Sequence, residues 1–566
     1  MTKLTLALEE RIQTKFIELY GDDVGRLYAA KLVERLNAGL SVPPRSLTLN
    51  EQAVVAIAYG DHVQQPPATP LTGLHKFLNR HLSDLISAVH ILPFYPFTSD
   101  DGFSVSDYRA VDPRLGTWAD VCALGDDFGL MFDLVLNHTS VASDWFQRML
   151  KGEDAYRDYY VTADPTLDLS GVVRPRTHPL LTAFATPNGE RHVWTTFSTD
   201  QVDLNFANPV VLMEMLETLL FYVEQGADLI RLDAIAYLWK IVGTTCIHLS
   251  QTHRVVQLFR DVLDAVAPWV VLITETNVPH TENISYFGSG TDEAQMVYNF
   301  ALPPLLVHTL QTGSADVLTT WAATLHAPSP QTTFFNFTAS HDGIGVRPAT
   351  GLLSDAQIAA MVARIQQHGG QISYKSNADG SQSAYEMNCT YFDALSSPDD
   401  PHAVDRFIVS QAIMLSLAGV PGIYLPSLFG ARNWHAGAAE TGRARTINRE
   451  KYALDQLDRR LTTPSTTEYQ VFSRYAELLR VRRSQAAFHP SSPQRILTLD
   501  DGLFAVERGS AEDGSRLLCL HNVTDRALSA ALPRGQWHTL YPASSQAVSG
   551  TCVIDPYQCM WLRADA

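Results

Sequence analysis

From residue 54 onward the chain repeats one pattern: a short apolar run, then a polar or ionisable residue at its end, then a longer amphipathic stretch. The apolar runs occupy 54–58, 88–92, 130–136, 228–232, 270–274 and 333–337. Runs of this length without polar alternation read as strands buried on both faces, and their alternation with helix-length segments implies βαβ units around a parallel sheet. Six such units in one chain point to an α/β fold, a closed (β/α)8 TIM barrel. Its functional residues stand at the C-terminal ends of the strands.

Three segments break the rhythm. Ahead of it, Ile12, Phe16, Leu19 and Tyr20, then Leu27, Tyr28, Leu32 and Leu36, recur at helical spacing around Gly21-Asp22-Asp23. That is a helical hairpin, whose apolar stripe packs either on the barrel or on the second subunit of a homodimer. Residues 139–207, rich in turn formers, and 344–396, polar and Gly/Ser-rich near 376–383, read as loop-rich insertions over the barrel mouth. After 488 short alternating segments such as 503–507, 517–521 and 560–562 replace the helical pattern. The expected organisation is an N-terminal helical extension (1–50), barrel segments 51–138, 208–343 and 397–487, the two insertions, and a C-terminal antiparallel β domain at 488–566.

A formal net charge of −18 disfavours nucleic acid and anionic membranes as partners, leaving a small molecule. The six cysteines show no zinc-ligand spacing and read as reduced thiols. No run reaches the roughly 18 apolar residues of a membrane span, and the apolar start is broken by Glu9 and Glu10, so a cytoplasmic protein is expected.

Asp233 in Ile230-Arg231-Leu232-Asp233-Ala234, Glu275 after Val271-Leu272-Ile273-Thr274, and Asp342 in Ser340-His341-Asp342-Gly343 each close an apolar run. A carboxylate there is costly unless paired or used; singly, a structural ion pair explains it, but three together suit glycosyl transfer. Arg231 shares a strand face with Asp233 and is expected to keep it ionised, while apolar surroundings raise Glu275 towards a general acid.

Four segments in order, Asp133-Leu134-Val135-Leu136-Asn137-His138, Arg231-Leu232-Asp233, Glu275 and His341-Asp342, resemble the α-amylase family of glycoside hydrolases and transglycosidases. The resemblance implies a retaining mechanism, with Asp233 as nucleophile, Glu275 as general acid/base and Asp342 as stabiliser of sugar hydroxyls. It also implies His138 and His341 as sugar binders, Phe103 as a stacking platform, and Asp100 paired with Arg445 across the closed end of a single-glucosyl pocket. Asn137 is expected to brace the barrel, with Arg443 and Arg449 at the surface or behind the site.

Within that family His90-Ile91-Leu92-Pro93-Phe94, Arg174-Pro175-Arg176, Gln201-Val202-Asp203, Asp233-Ala234-Ile235-Ala236-Tyr237 and His341-Asp342-Gly343-Ile344-Gly345 resemble the sucrose phosphorylase group. Phosphate there intercepts the glucosyl-enzyme, which implies Arg176 and Tyr385 on mobile loops and Gln201 and Tyr237 lining the same subsites. Asn277 and Glu386 depart from the sucrose-specific pattern, and the N-terminal extension, the run 274–280 and the run 443–449 together resemble the glucosylglycerate phosphorylases. These imply a glucoside, phosphate and glycerate as the small molecules bound, with phosphate a substrate and no metal or organic cofactor. For the anionic acceptor Lys240, His280 and Arg176 are candidates; Glu386 either receives acceptor hydroxyls or orients Arg176. Phosphorolysis of sucrose or sucrose 6-phosphate, α-glucoside hydrolysis, and a catalytically silent sugar-binding barrel are the alternatives.

Overall fold

The computed structural model describes residues 4–565 apart from 41–46, 378–380, 511, 513, 545 and 546. Eight parallel strands close a barrel: β1 (Val55–Ala58), β2 (Ala88–Ile91), β3 (Gly129–Val135), β4 (Ala227–Asp233), β5 (Val271–Thr274), β6 (Met296–Tyr298), β7 (Thr333–Asn336) and β8 (Val420–Tyr424). Closure is made by β1, which pairs Val55 with Ala88 of β2 on one side and with Gly422 of β8 on the other. Apart from Gly129 every strand residue is buried, as expected for a sheet with helices outside and packed side chains within.

Two strands have no counterpart among the apolar runs. β6 is only three residues long, and β8 carries Pro421 and Gly422, both of which argue against a central strand in sequence. The barrel needs that glycine: a Cβ at Gly422 would lie 2.3 Å from the Phe335 ring, which fills the space inside.

The N-terminal hairpin consists of α1 (Leu6–Tyr20) and α2 (Asp22–Asn37), joined at Gly21 with φ of 81°. The two helices touch at Gly25, where a Cβ would lie 2.6 Å from the Ile17 backbone. Leu8, Ile12, Phe16, Leu32 and Leu36 are buried, and the hairpin docks on its own barrel, against α3 (Ser250–Val266). Lys15 pairs with Asp261, which also accepts from Arg11 at 3.0 Å, and Arg35 pairs with Glu217 at 3.0 Å. The tip reaches towards the mouth, where the Tyr20 hydroxyl donates to the Phe206 carbonyl (2.8 Å) and its ring stands 6.1 Å from Trp239.

Lys15 and Asp261 keep only 10% and 7% of their side-chain exposure, so Asp261→Ala leaves a nearly buried ammonium without its carboxylate. The expected cost is about 3 kcal/mol, felt as local opening, with hydrogen exchange across α1 accelerated about 100-fold. Unchanged exchange in α1 would show that the pair does not anchor the hairpin.

The first insertion pairs His138–Ser140 with Gln201–Asp203 and folds Leu181–Thr186 and Gly189–Trp194 into a hairpin. The second forms a three-stranded antiparallel sheet from Ile344–Gly345, Gln382–Asn388 and Gln371–Ser376; part of its Gly/Ser-rich stretch, 378–380, lies outside the described residues. The C-terminal segment builds a six-stranded antiparallel sheet, with Leu518, Leu520 and Trp537 packed against a two-stranded sheet of Leu528–Ala531 and Thr551–Ile554. All six cysteines are free, and among the described residues no helix is long and apolar enough to cross a membrane.

Candidate active site

Strand register brings the buried charges together. Asp133 on β3 lies directly opposite Arg231 on β4, and one Arg231 nitrogen, Nη1, donates both to Asp133 Oδ1 and, at 2.9 Å, to Asp233 Oδ1. From β2, His90 Nε2 stands 2.6 Å from the other Asp133 oxygen. Just past the end of β4, Ala234 takes a left-handed conformation (φ 49°), and its N–H donates to Glu275 Oε2 at 3.0 Å. Arg231 Nη2 lies 3.9 Å from that same oxygen. One guanidinium and one strained residue thus hold Asp233 and Glu275 on the same side of the barrel mouth.

Burial pushes the Asp233 carboxyl well above its ordinary range, opposed by Arg231 and reinforced by Glu275. Burial raises Glu275 too, again against Arg231. Two adjacent buried acids hold one proton between them more readily than none. Arg231 donates directly to Asp233 and only approaches Glu275, which favours charge on Asp233, while the Ala234 N–H donated to Glu275 favours charge there. The sequence-based expectation for Asp233 needs this correction: Arg231 does favour its ionised form, but burial works against it.

Asp342 has the opposite balance. Despite burial, Arg445, His341 and Arg449 hold its carboxyl well below the usual carboxylate range. Arg445 Nη1 lies 2.6 Å from Asp342, while its Nη2 and Nε grip Glu386 at 3.0 and 3.1 Å. The anticipated Asp100–Arg445 pair is long, at 3.7 Å. The tight pair at this wall is instead Asp101 with Arg449, at 2.5 Å, and the buried Arg449 also donates to the His341 carbonyl at 2.8 Å. Asp100 and Asp101 are consecutive left-handed residues (φ 51° and 47°), a turn that costs about 1–2 kcal/mol per residue and presents both carboxylates to the two arginines.

These groups surround a cavity at the barrel mouth. Asp233, Glu275 and Asp342 line it together with Asp100, Phe103, His138, Arg176, Gln201, Tyr237, Asn277, His341, Tyr385 and Arg445. Phe103 stacks on His341 (4.6 Å between ring centres, 7° between planes), and His138 Nε2 donates to the Phe103 carbonyl at 2.9 Å. Burial keeps both histidines below their ordinary pKa and therefore neutral. Asn277 Oδ1 is buried without a hydrogen-bond partner among the described residues, so it is a free acceptor in the cavity wall.

Four expected binding residues lie elsewhere. Arg231 is under the floor; Glu386 sits behind Arg445, where it also accepts from the Gly343 N–H at 3.0 Å and makes no contact with Arg176; His280 faces Trp321 and Phe334 at about 6 Å. Lys240 is spent as well, on Asp203 at 2.7 Å and Asn137 at 2.6 Å. Phe197, Ala234, Ala236 and Thr276 line the cavity without having been anticipated; Phe197 sits in a turn-rich insertion with no motif around it. Arg176 stands over the rings of Tyr385 (5.2 Å) and Phe197 (5.9 Å) and has no carboxylate partner among the described residues. Among the described residues no group of three His, Cys, Asp or Glu side chains is arranged to hold a metal ion.

Residues 73–367 match the alpha amylase catalytic domain family. The chain is 48% identical over 575 residues to a glucosylglycerate phosphorylase of Allomeiothermus silvanus, covering 99% of this chain and 100% of that one. It is 45% identical to a glucosylglycerate phosphorylase of Spirochaeta thermophila, over 97% of this chain and 95% of that protein. Among solved structures, sucrose 6F-phosphate phosphorylase from Thermoanaerobacter thermosaccharolyticum shares the fold, with a TM-score of 0.74 at 24% identity over 85% of this chain and 95% of that one. By its barrel, its strand-end carboxylates and these likenesses, the chain belongs to the α-amylase family.

Proposed function

We propose that the protein is a retaining glycoside phosphorylase that reversibly converts 2-O-α-D-glucosyl-D-glycerate and phosphate into α-D-glucose 1-phosphate and D-glycerate. Asp233 attacks C1 as Glu275 gives its proton to the departing glycerate oxygen, leaving a β-glucosyl ester on Asp233. Phosphate then attacks C1 from the opposite side, the ester bond returns its electron pair to Asp233, and Glu275 recovers a proton from phosphate. Asp342, fixed by Arg445, accepts hydrogen bonds from sugar hydroxyls, and Phe103 with His341 forms one wall of the sugar pocket.

The observation that carries phosphorolysis over hydrolysis is Arg176. The other cations at this site, Arg231, Arg445 and Arg449, are engaged by carboxylates, whereas Arg176 faces the cavity unpaired between two rings, a setting suited to an entering phosphate or glycerate. The names of the relatives support glycerate as the acceptor. Six free cysteines suit a reducing, cytoplasmic setting.

Incubation with the glucoside should yield glucose 1-phosphate only when phosphate is present. Free glucose formed at the same rate without phosphate would sink the proposal, and turnover of sucrose in preference would reassign the acceptor. Arg176→Ala is expected to raise the KM for phosphate roughly 10- to 100-fold and to increase the share of hydrolysis. A KM for phosphate that does not move would remove Arg176 from the anion site.

A further inference from the structure

We infer that His90 is a positioning residue for the reaction: by binding one oxygen of Asp133 it sets how Arg231 is shared between Asp133 and Asp233. This rests on the reading of Asp233 as nucleophile. Arg231 Nη1 serves two carboxylates at once, Asp133 Oδ1 and Asp233 Oδ1. Whatever draws charge away from Asp133 leaves more of that guanidinium to Asp233. His90 is placed to do so, 2.6 Å from Asp133 Oδ2, with both side chains fully buried.

The ring carries its own argument. His90 occupies a barrel-interior layer of the kind normally filled by branched apolar side chains, and its Nδ1 is buried without a hydrogen-bond partner among the described residues. Leaving a ring nitrogen unsatisfied costs about 1–3 kcal/mol, so an apolar residue would serve packing better. What the imidazole supplies is the single bond from Nε2, and burial keeps it neutral, with its proton on the nitrogen that meets Asp133.

The groups facing Asp233 are Arg231, Asp133, Glu275, Asp342 and Tyr108; those facing Asp133 are His90, Arg231, Asp233, Glu275, His341, Tyr95, Tyr222 and Tyr298. His90 is the one neutral donor to an Asp133 carboxylate oxygen among them. Replacing it with an apolar side chain leaves Asp133 with its full charge, which both repels Asp233 and claims Arg231. Asp233 then holds a proton more tightly, and activity is lost at a higher pH.

The test is the pH profile of kcat/KM for phosphorolysis in wild type, His90→Phe, His90→Met and His90→Gln, with thermal unfolding of each. In His90→Phe and His90→Met the acid limb should move up by about one pH unit, a tenfold loss below the limb. His90→Gln, which keeps an N–H donor, should stay close to wild type. Two apolar replacements of different shape are used so that one folded variant suffices. An acid limb unmoved in either folded apolar variant, whatever its stability or kcat, would overturn the inference, as would a Gln variant shifted as far as Phe. Failure of the underlying reading is separate: it would show as phosphorolysis surviving Asp233→Asn.

Discussion

Asp233→Asn is expected to lower phosphorolysis of glucosylglycerate by at least about 10⁴-fold, because an amide cannot form the glucosyl ester. The same variant should be folded and slightly more stable than wild type at neutral pH. The sign follows from burial. Asp233 holds its proton more tightly in the folded protein than in the unfolded chain, so its contribution to stability is complete below the ordinary carboxylate pKa. That contribution is lost as pH rises through the raised folded value. Asparagine removes the penalty, and the two proteins should converge in stability as pH falls below the unfolded value. Thermal unfolding from pH 3 to 8 checks this; a variant less stable than wild type throughout would mean that Arg231 needs the Asp233 charge more than the fold suffers from it.

Glu275→Gln should cost about 10²–10⁴-fold on the natural glucoside, whose glycerate alkoxide leaves poorly without a proton. On α-glucosyl fluoride, where the leaving group needs none, the variant should form the glucosyl-enzyme within about tenfold of wild type. The pH profile adds a second check. Burial raises the Glu275 carboxyl, so wild-type activity on the natural glucoside should fall as pH rises through that value, and the Gln variant should lack this alkaline limb. Equal losses on both donors would assign Glu275 to binding rather than proton transfer.

Much of this arrangement is legible from sequence because the barrel's physics is local. Each of β1–β5 and β7 is an apolar run; Asp233 closes β4, Glu275 directly follows β5 and Asp342 lies in the loop after β7, and a strand's end is where the fold exposes side chains to the mouth. β6 and β8 were hidden by shortness and by Pro421. The side-chain partnerships were less accessible. Sequence spacing puts Asp100 and Asp101 side by side and Arg445 one helical turn from Arg449, but only the left-handed turn decides which acid meets which base. Lys240 reads as an available cation after the nucleophile until the first insertion returns Asp203 beneath it. Glu386 sits awkwardly beside an anionic acceptor in sequence, and its burial against Arg445 resolves the difficulty, since its charge is neutralised before any substrate arrives.

The pairing of β1 with β8 also governs when the protein becomes an enzyme during its synthesis. Val55 emerges early, yet its partner Gly422 and the arginines at 445 and 449 emerge after most of the chain, so a nascent chain ending between residues 386 and 445 carries Asp342 and Glu386 without Arg445 and Arg449. A stalled or truncated product ending between residues 386 and 420 therefore combines an open sheet edge with acids that lack Arg445. It is a substrate for proteolysis and aggregation rather than a partly active catalyst.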